Sequence, residues 1–216
     1  MISSSNNNMV KLKLKSLFTD HQFWTKFICS NMIEKEIKNK IEYLLSEFGT
    51  KEPCNRFDIG NCIEFIINDY LVNIGFELSE LPNAKRYDVD INNYKKLSIK
   101  YSSSGSIKLH NSLGSNHDEC MKDTILLTPN KLYLITNNEL QKYSIDLKMY
   151  LKNTKDGLEL KRSLLTMLNK KKYPFIHDIN LNHNKENCKN RLCSKLFYRQ
   201  FLQEYNSGTN NNTNHL

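Results

Sequence analysis

The stretch Tyr87-Asp88-Val89-Asp90-Ile91-Asn92-Asn93-Tyr94-Lys95-Lys96-Leu97-Ser98-Ile99-Lys100-Tyr101 decides the fold. In its second half Leu97, Ile99 and Tyr101 alternate with Ser98 and Lys100. That period of two predicts a half-buried strand over 96–102. The segment 86–91 reads as a second strand, and Asn92-Asn93-Tyr94 supplies the turn of a hairpin. Asp88 and Asp90 lie two residues apart, so an extended backbone turns both carboxylates to one face. The turn lays that face beside Ser98 and Lys100. One or two carboxylates, a hydroxyl and an ammonium group are expected to converge there.

Upstream, Phe23, Phe27, Ile33, Ile37, Ile41 and Leu44 predict one helix from Asp20 to about Glu47, ended by Gly49. A second helix is expected from about Ile59 to Val72, with Ile63, Ile66, Ile67, Tyr70 and Leu71 as its apolar stripe. Glu64 rides on that helix between core-facing neighbours, at the edge of the sheet. Downstream, strands are expected at 107–110, 124–128 and 132–136, the last two joined through Pro129-Asn130. Helical patterns return at about 156–169 and 188–205. Helices, then strands, then helices predict an α+β fold: a central mixed sheet flanked by helices. Between polar tails at 1–9 and 206–216 the chain reads as a single domain, 10–205.

The length of 216 residues is ample for one core, and 21 Tyr and Phe exclude a wholly disordered chain. No run approaches the roughly 18 apolar residues of a membrane helix. The start, Met1-Ile2-Ser3-Ser4-Ser5, lacks the basic and apolar regions of a signal peptide. A soluble intracellular protein, cytoplasmic or nuclear, is expected, with its six cysteines reduced. The 29 Asn and the excess of 26 Lys over 5 Arg follow from an AT-rich coding sequence and carry no functional weight. The position of the charge does. Residues 141–200 hold 14 Lys/Arg against 5 Asp/Glu, a net +9, and the rest of the chain is at −1. A localised basic stretch is the footprint of a nucleic-acid binder, although a solvated lysine-rich face has the same composition.

The hairpin cluster suits phosphodiester hydrolysis. Carboxylate oxygens hold Mg²⁺, a hard cation that takes one or two protein carboxylates and keeps several waters. Such a metal lowers the pKa of water, and a neighbouring lysine steadies a negative transition state. The competing reading is an exposed hairpin whose cross-strand Asp–Lys pairs only add stability.

The sequence 82–91 together with Leu97-Ser98-Ile99-Lys100 resembles the PD-(D/E)XK nuclease superfamily, the fold of many type II restriction endonucleases. The pattern is a helix bearing Glu, a strand bearing a metal-binding Asp, then a partner strand carrying acid-x-Lys. Glu64, Asp88 and Lys100 match those positions in order, over roughly residues 59–136. The resemblance implies a restriction-endonuclease-like fold and a Mg²⁺-dependent DNA endonuclease, with Mn²⁺ as a substitute metal. It implies Asp88 and the Ile99 carbonyl as metal ligands, Glu64 beside them, and Lys100 positioning the attacking water. A symmetric homodimer is expected by the same analogy. Ser98 departs from the pattern, standing where the family has an acid; Asp90 or Glu64 is expected to make up the charge.

Further contacts to DNA are expected from Ser102, Ser103, Ser104 and Lys108 beyond the Lys100 strand. Lys170, Lys171 and Lys172 at a helix end, and the stripe Arg191, Lys195 and Arg199, are candidates for the phosphate backbone. His110 reads either as a proton carrier or as structural. His177, His183, Cys188 and Cys193 have a spacing that matches no compact zinc template, so structural zinc is not expected. Nucleotide-binding loops, nucleophile elbows and zincin motifs are absent. The rival functions are a non-catalytic nucleic-acid-binding protein on the same fold and a protein-interaction domain.

Overall fold

Thr19 fixes where the first helix starts. Its hydroxyl accepts from the Gln22 N–H at 3.2 Å, while the Gln22 side chain accepts from the Thr19 N–H at 2.7 Å, a reciprocal capping box. The computed structural model describes residues 19–48, 55–79, 88–91, 95–104, 107–110, 123–154 and 157–182. Helix α1 (Asp20–Ile28) buries Phe23, Trp24 and Phe27.

The expected single helix to Glu47 is broken. The Ser30 hydroxyl and carbonyl take the N–H groups of Met32 and Ile33, and the chain turns. It resumes as a π-helical segment, Glu34–Asn39, that runs into α2 (Lys40–Glu47). The sequence carries the reason: six residues separate Phe27 from Ile33, which puts them on different faces of one continuous helix. Helix α3 (Asn55–Asn73) extends the expected helix at both ends. It buries Ile59, Ile63, Ile66, Ile67, Tyr70 and Leu71. The Tyr70 hydroxyl donates to the Phe27 carbonyl, which ties α3 to α1.

The hairpin forms as expected, from β1 (Val89–Ile91) and β2 (Lys95–Tyr101), with Val89 opposite Leu97. Next come β3 (Ile107–His110), β4 (Thr124–Leu127) and β5 (Lys131–Ile135). Then follow α4 (Asn137–Lys142), a 3₁₀ turn (Leu147–Tyr150), β6 (Leu151–Thr154), β7 (Gly157–Leu160), α5 (Ser163–Lys170) and β8 (Ile176–Asp178). The main sheet has the order β1-β2-β4-β5-β8, and only β2–β4 is parallel. Strand β4 is buried along its whole length. Its run of apolar residues is what a strand covered on both faces requires. The described chain is therefore α+β, a five-stranded mixed sheet with helices around it.

A second, three-stranded sheet, β3-β7-β6, was not foreseen. The helix expected at 156–169 is instead strand β7 followed by α5. Leu158 and Leu160 alternate about Glu159 with strand period, and the helical stripe Leu164, Leu165 and Leu168 begins only after it. The tails, the helix expected at 188–205 with Arg191, Lys195 and Arg199, and His183, Cys188 and Cys193 lie outside the described residues. Among the described residues no helix is long and apolar enough to cross a membrane.

Candidate functional site

Strand β2 builds the site. It is an interior strand, paired to β1 on one side and β4 on the other. Its Leu97 and Ile99 are buried in the core, so alternation turns Ser98 and Lys100 to the opposite face. Asp88 stands one residue before β1 and pairs through its N–H with the Leu97 carbonyl at 3.0 Å. Beyond that bond, the Asp88 side chain reaches further along β2. Its Oδ2 accepts from the Ile99 N–H at 2.6 Å, from the Ser98 hydroxyl at 2.9 Å and from Lys100 Nζ at 3.1 Å. One carboxylate oxygen gathers three donors. Asp88 and Lys100 remain about a quarter exposed, at 21% and 28%, so solvent and a ligand can reach them.

Glu64 closes the group from α3. Its carboxyl is pushed up to about 7, first by burial and second by the negative charge of Asp88, against the pull of Lys100. The charges of both hairpin residues are thus felt at Glu64. The sequence order helix Glu, strand Asp, strand Lys has become one constellation of Glu64, Asp88, Ser98 and Lys100.

The donor set fits a hard divalent cation in part. Asp88 and Glu64 are two carboxylates, the charge of the first raising the second. In a strand the N–H and C=O of one residue point the same way, so the Ile99 carbonyl lies on the Asp88 side with its N–H. Asn68 follows Glu64 by one turn of α3, and its Oδ1 is buried without a hydrogen-bond partner. An amide oxygen is a ligand that such cations accept, and sequence reasoning missed it. No signal marked it, because Asn is abundant throughout the chain. Among the described residues no three His, Cys, Asp or Glu side chains gather into a metal cage. Asp90 thus does not join Asp88 and Glu64 to make up for Ser98. It sits opposite Lys96 in the ladder and is buried.

Other expected contacts divide. Ser102 is buried, with its N–H on the Leu127 carbonyl, and ends the strand instead of presenting a hydroxyl to phosphate. Ser103 and Ser104 are exposed. Lys108 and His110 lie in β3, across from Glu159 and Leu158. Lys170, Lys171 and Lys172 are exposed at the C-terminal end of α5, where cations complement the helix dipole. His177 lies in β8, opposite Leu132.

A second ionic cluster was also missed. Lys95 Nζ, at the start of β2, donates to Asp20 of α1 and to Asp123 before β4. Burial draws the ammonium down, but the two carboxylates outweigh it and hold Lys95 above the ordinary lysine value. Lys95 is fully engaged, so this cluster fastens α1 to the sheet.

Set beside known proteins, the chain matches no family model, no curated protein and no solved structure.

Proposed function

We propose that the chain is a Mg²⁺-dependent DNA endonuclease of restriction-endonuclease-like fold, in the manner of the PD-(D/E)XK superfamily. The observation that carries the reading is the convergence of Lys100, Ser98 and the Ile99 N–H on one oxygen of Asp88, with Glu64 in their field. An Asp–Lys pair that served stability alone would need no half-buried helical carboxyl in its field.

Asp88, Glu64 and the Ile99 carbonyl would hold the divalent cation, Mg²⁺ or Mn²⁺, with Asn68 adding a neutral oxygen. When bound, that cation supplies an acidified water and neutralises charge on the phosphate. Lys100, now paired with Asp88, would turn its ammonium to orient the attacking water and meet the developing charge. Ser98 keeps Asp88 in place by its hydroxyl bond. Glu64, protonated near neutrality, would give up its proton as the cation binds. The scissile P–O bond would break to leave a 5′-phosphate. A symmetric dimer is what a palindromic target would require.

The test is plasmid DNA incubated with purified protein and Mg²⁺. Discrete fragments or nicking that vanish in chelator, in Asp88→Asn and in Lys100→Ala are the expected result. A second reading follows from Ser98 and from the lack of a third acid among the described residues: a nucleic-acid-binding protein on this fold whose site no longer cuts. Salt-sensitive DNA binding with intact plasmid would select it. Absence of binding at low salt would leave a protein-interaction domain.

A further inference from the structure

The second sheet has an outer face that the hairpin chemistry leaves unused. Alternation along β7 turns Leu158 and Leu160 inward, where both are buried. Glu159 points the other way, and the register seats it between Lys108 of β3 and Lys152 of β6. Lys161 leaves β7 on that same side, and Lys152, Lys161 and Arg162 are all exposed. In the described sheet β6 is an outer strand. At its entry stands Met149, 73% exposed, against 53% for Val72 and 45% for Phe65, the other exposed large apolar side chains among the described residues.

The turn that presents Met149 is held from two sides. The Asp146 carboxylate accepts from the Lys148 N–H at 2.9 Å. Lys161 donates its N–H to the Tyr150 carbonyl at 2.8 Å and its Nζ to the Met149 carbonyl at 3.4 Å. A methionine is thus fixed outward on a short, anchored turn, with cations around it.

We propose that this face is a docking surface for double-stranded DNA, with Lys152, Lys161 and Arg162 on phosphates and Met149 wedged at a base step of the minor groove. Apolar side chains flanked by cations are how proteins unstack a step there. Charge complementarity selects the polyanion. Reach is adequate as well: eight residues separate Lys100 from Lys108, at most ~29 Å of chain. One turn of duplex is ~34 Å, longer than that span. The inference rests on the nuclease reading of the Glu64–Asp88–Lys100 group and adds to it the surface that grips the duplex.

The test measures binding of the full-length chain, in chelator, to a duplex of about 20 base pairs carrying 2-aminopurine at successive steps. Wild-type binding should raise the fluorescence at one step. Met149→Ala should weaken affinity by about tenfold, leave the salt slope unchanged and abolish that rise. The Lys152→Ala/Lys161→Ala pair should flatten the slope of log affinity against log salt by about 2. Met149→Gln, which keeps the length and loses the apolar tip, should repeat the Met149→Ala result. Wild-type binding with all three variants indistinguishable from it overturns this surface and leaves the nuclease reading standing. Failure of the wild type to bind overturns both. Equal affinity for polyglutamate of matched charge overturns the assignment to DNA.

Discussion

At the scale of single residues, Ser98 is the telling position. Its hydroxyl donates to Asp88, so a carboxylate there would face Asp88 at hydrogen-bond distance. Ser98→Asp is expected to destabilise the metal-free protein through like-charge repulsion, and to raise Mn²⁺ affinity by at least about tenfold, roughly 1.4 kcal/mol. Calorimetric titration with thermal melts checks both signs; weaker Mn²⁺ binding would remove the cation from the account. Glu64 gives the pH dependence. Its folded value, about 7, lies above the ordinary 4.5. The protonated form therefore favours folding, and that stability is present below about pH 4.5 and lost as pH rises through 7. Glu64→Gln should flatten the stability profile of metal-free protein across this window, and gain on the order of 2 kcal/mol above it. Urea titrations at a series of pH values measure this. If the site takes a divalent cation as proposed, its affinity should rise with pH through neutrality as Glu64 loses this proton.

At the scale of elements, the Lys95 cluster joins three of them. Lys95→Met leaves Asp20 and Asp123 half-buried, facing each other without a cation. The expected cost is about 3 kcal/mol by chemical denaturation, and Asp20→Asn with Asp123→Asn should restore part of it. The β1–β2 and β4–β5 hairpins were legible because period-two patterning and turn residues agreed. The site was legible for a related reason: Asp88, Ser98 and Lys100 need only the hairpin register, and Glu64 only its place on the preceding helix. The second sheet was not legible. Leu160, Leu164 and Leu168 recur every four residues, which also suits one helical face, so a strand and a helix merged into one pattern. Helix α4 has six residues and Leu140 as its only apolar one, too little for periodicity to register; its start comes from Thr136, whose hydroxyl accepts the Glu139 N–H. The break after α1 left one mark, the six-residue gap from Phe27 to Ile33.

At the scale of the whole molecule, charge is divided along the chain. The carboxylates of the site come from the near-neutral first part, and the cations of β6, the β7 end and α5 come from the net +9 stretch. Nucleic-acid binding should therefore survive Asp88→Asn and Glu64→Gln and respond steeply to salt. An interface on about six phosphates loses roughly 40-fold in affinity for each doubling of salt. A filter-binding series with and without chelator checks this, and a flat series would exclude a phosphate-led interface. The parallel pairing of β2 with β4 has its own consequence. Parallel neighbours cannot be joined by a tight turn, so the chain departs after β2, lends β3 to the other sheet and comes back at Asp123. A gene divided between His110 and Asp123 would yield one fragment with every candidate cutting group and another with the basic stretch. Each fragment would own part of both sheets and complete neither. Co-expression would then act as a complementation assay, in which cleavage returns only when the halves zip together along β2–β4 and β3–β7.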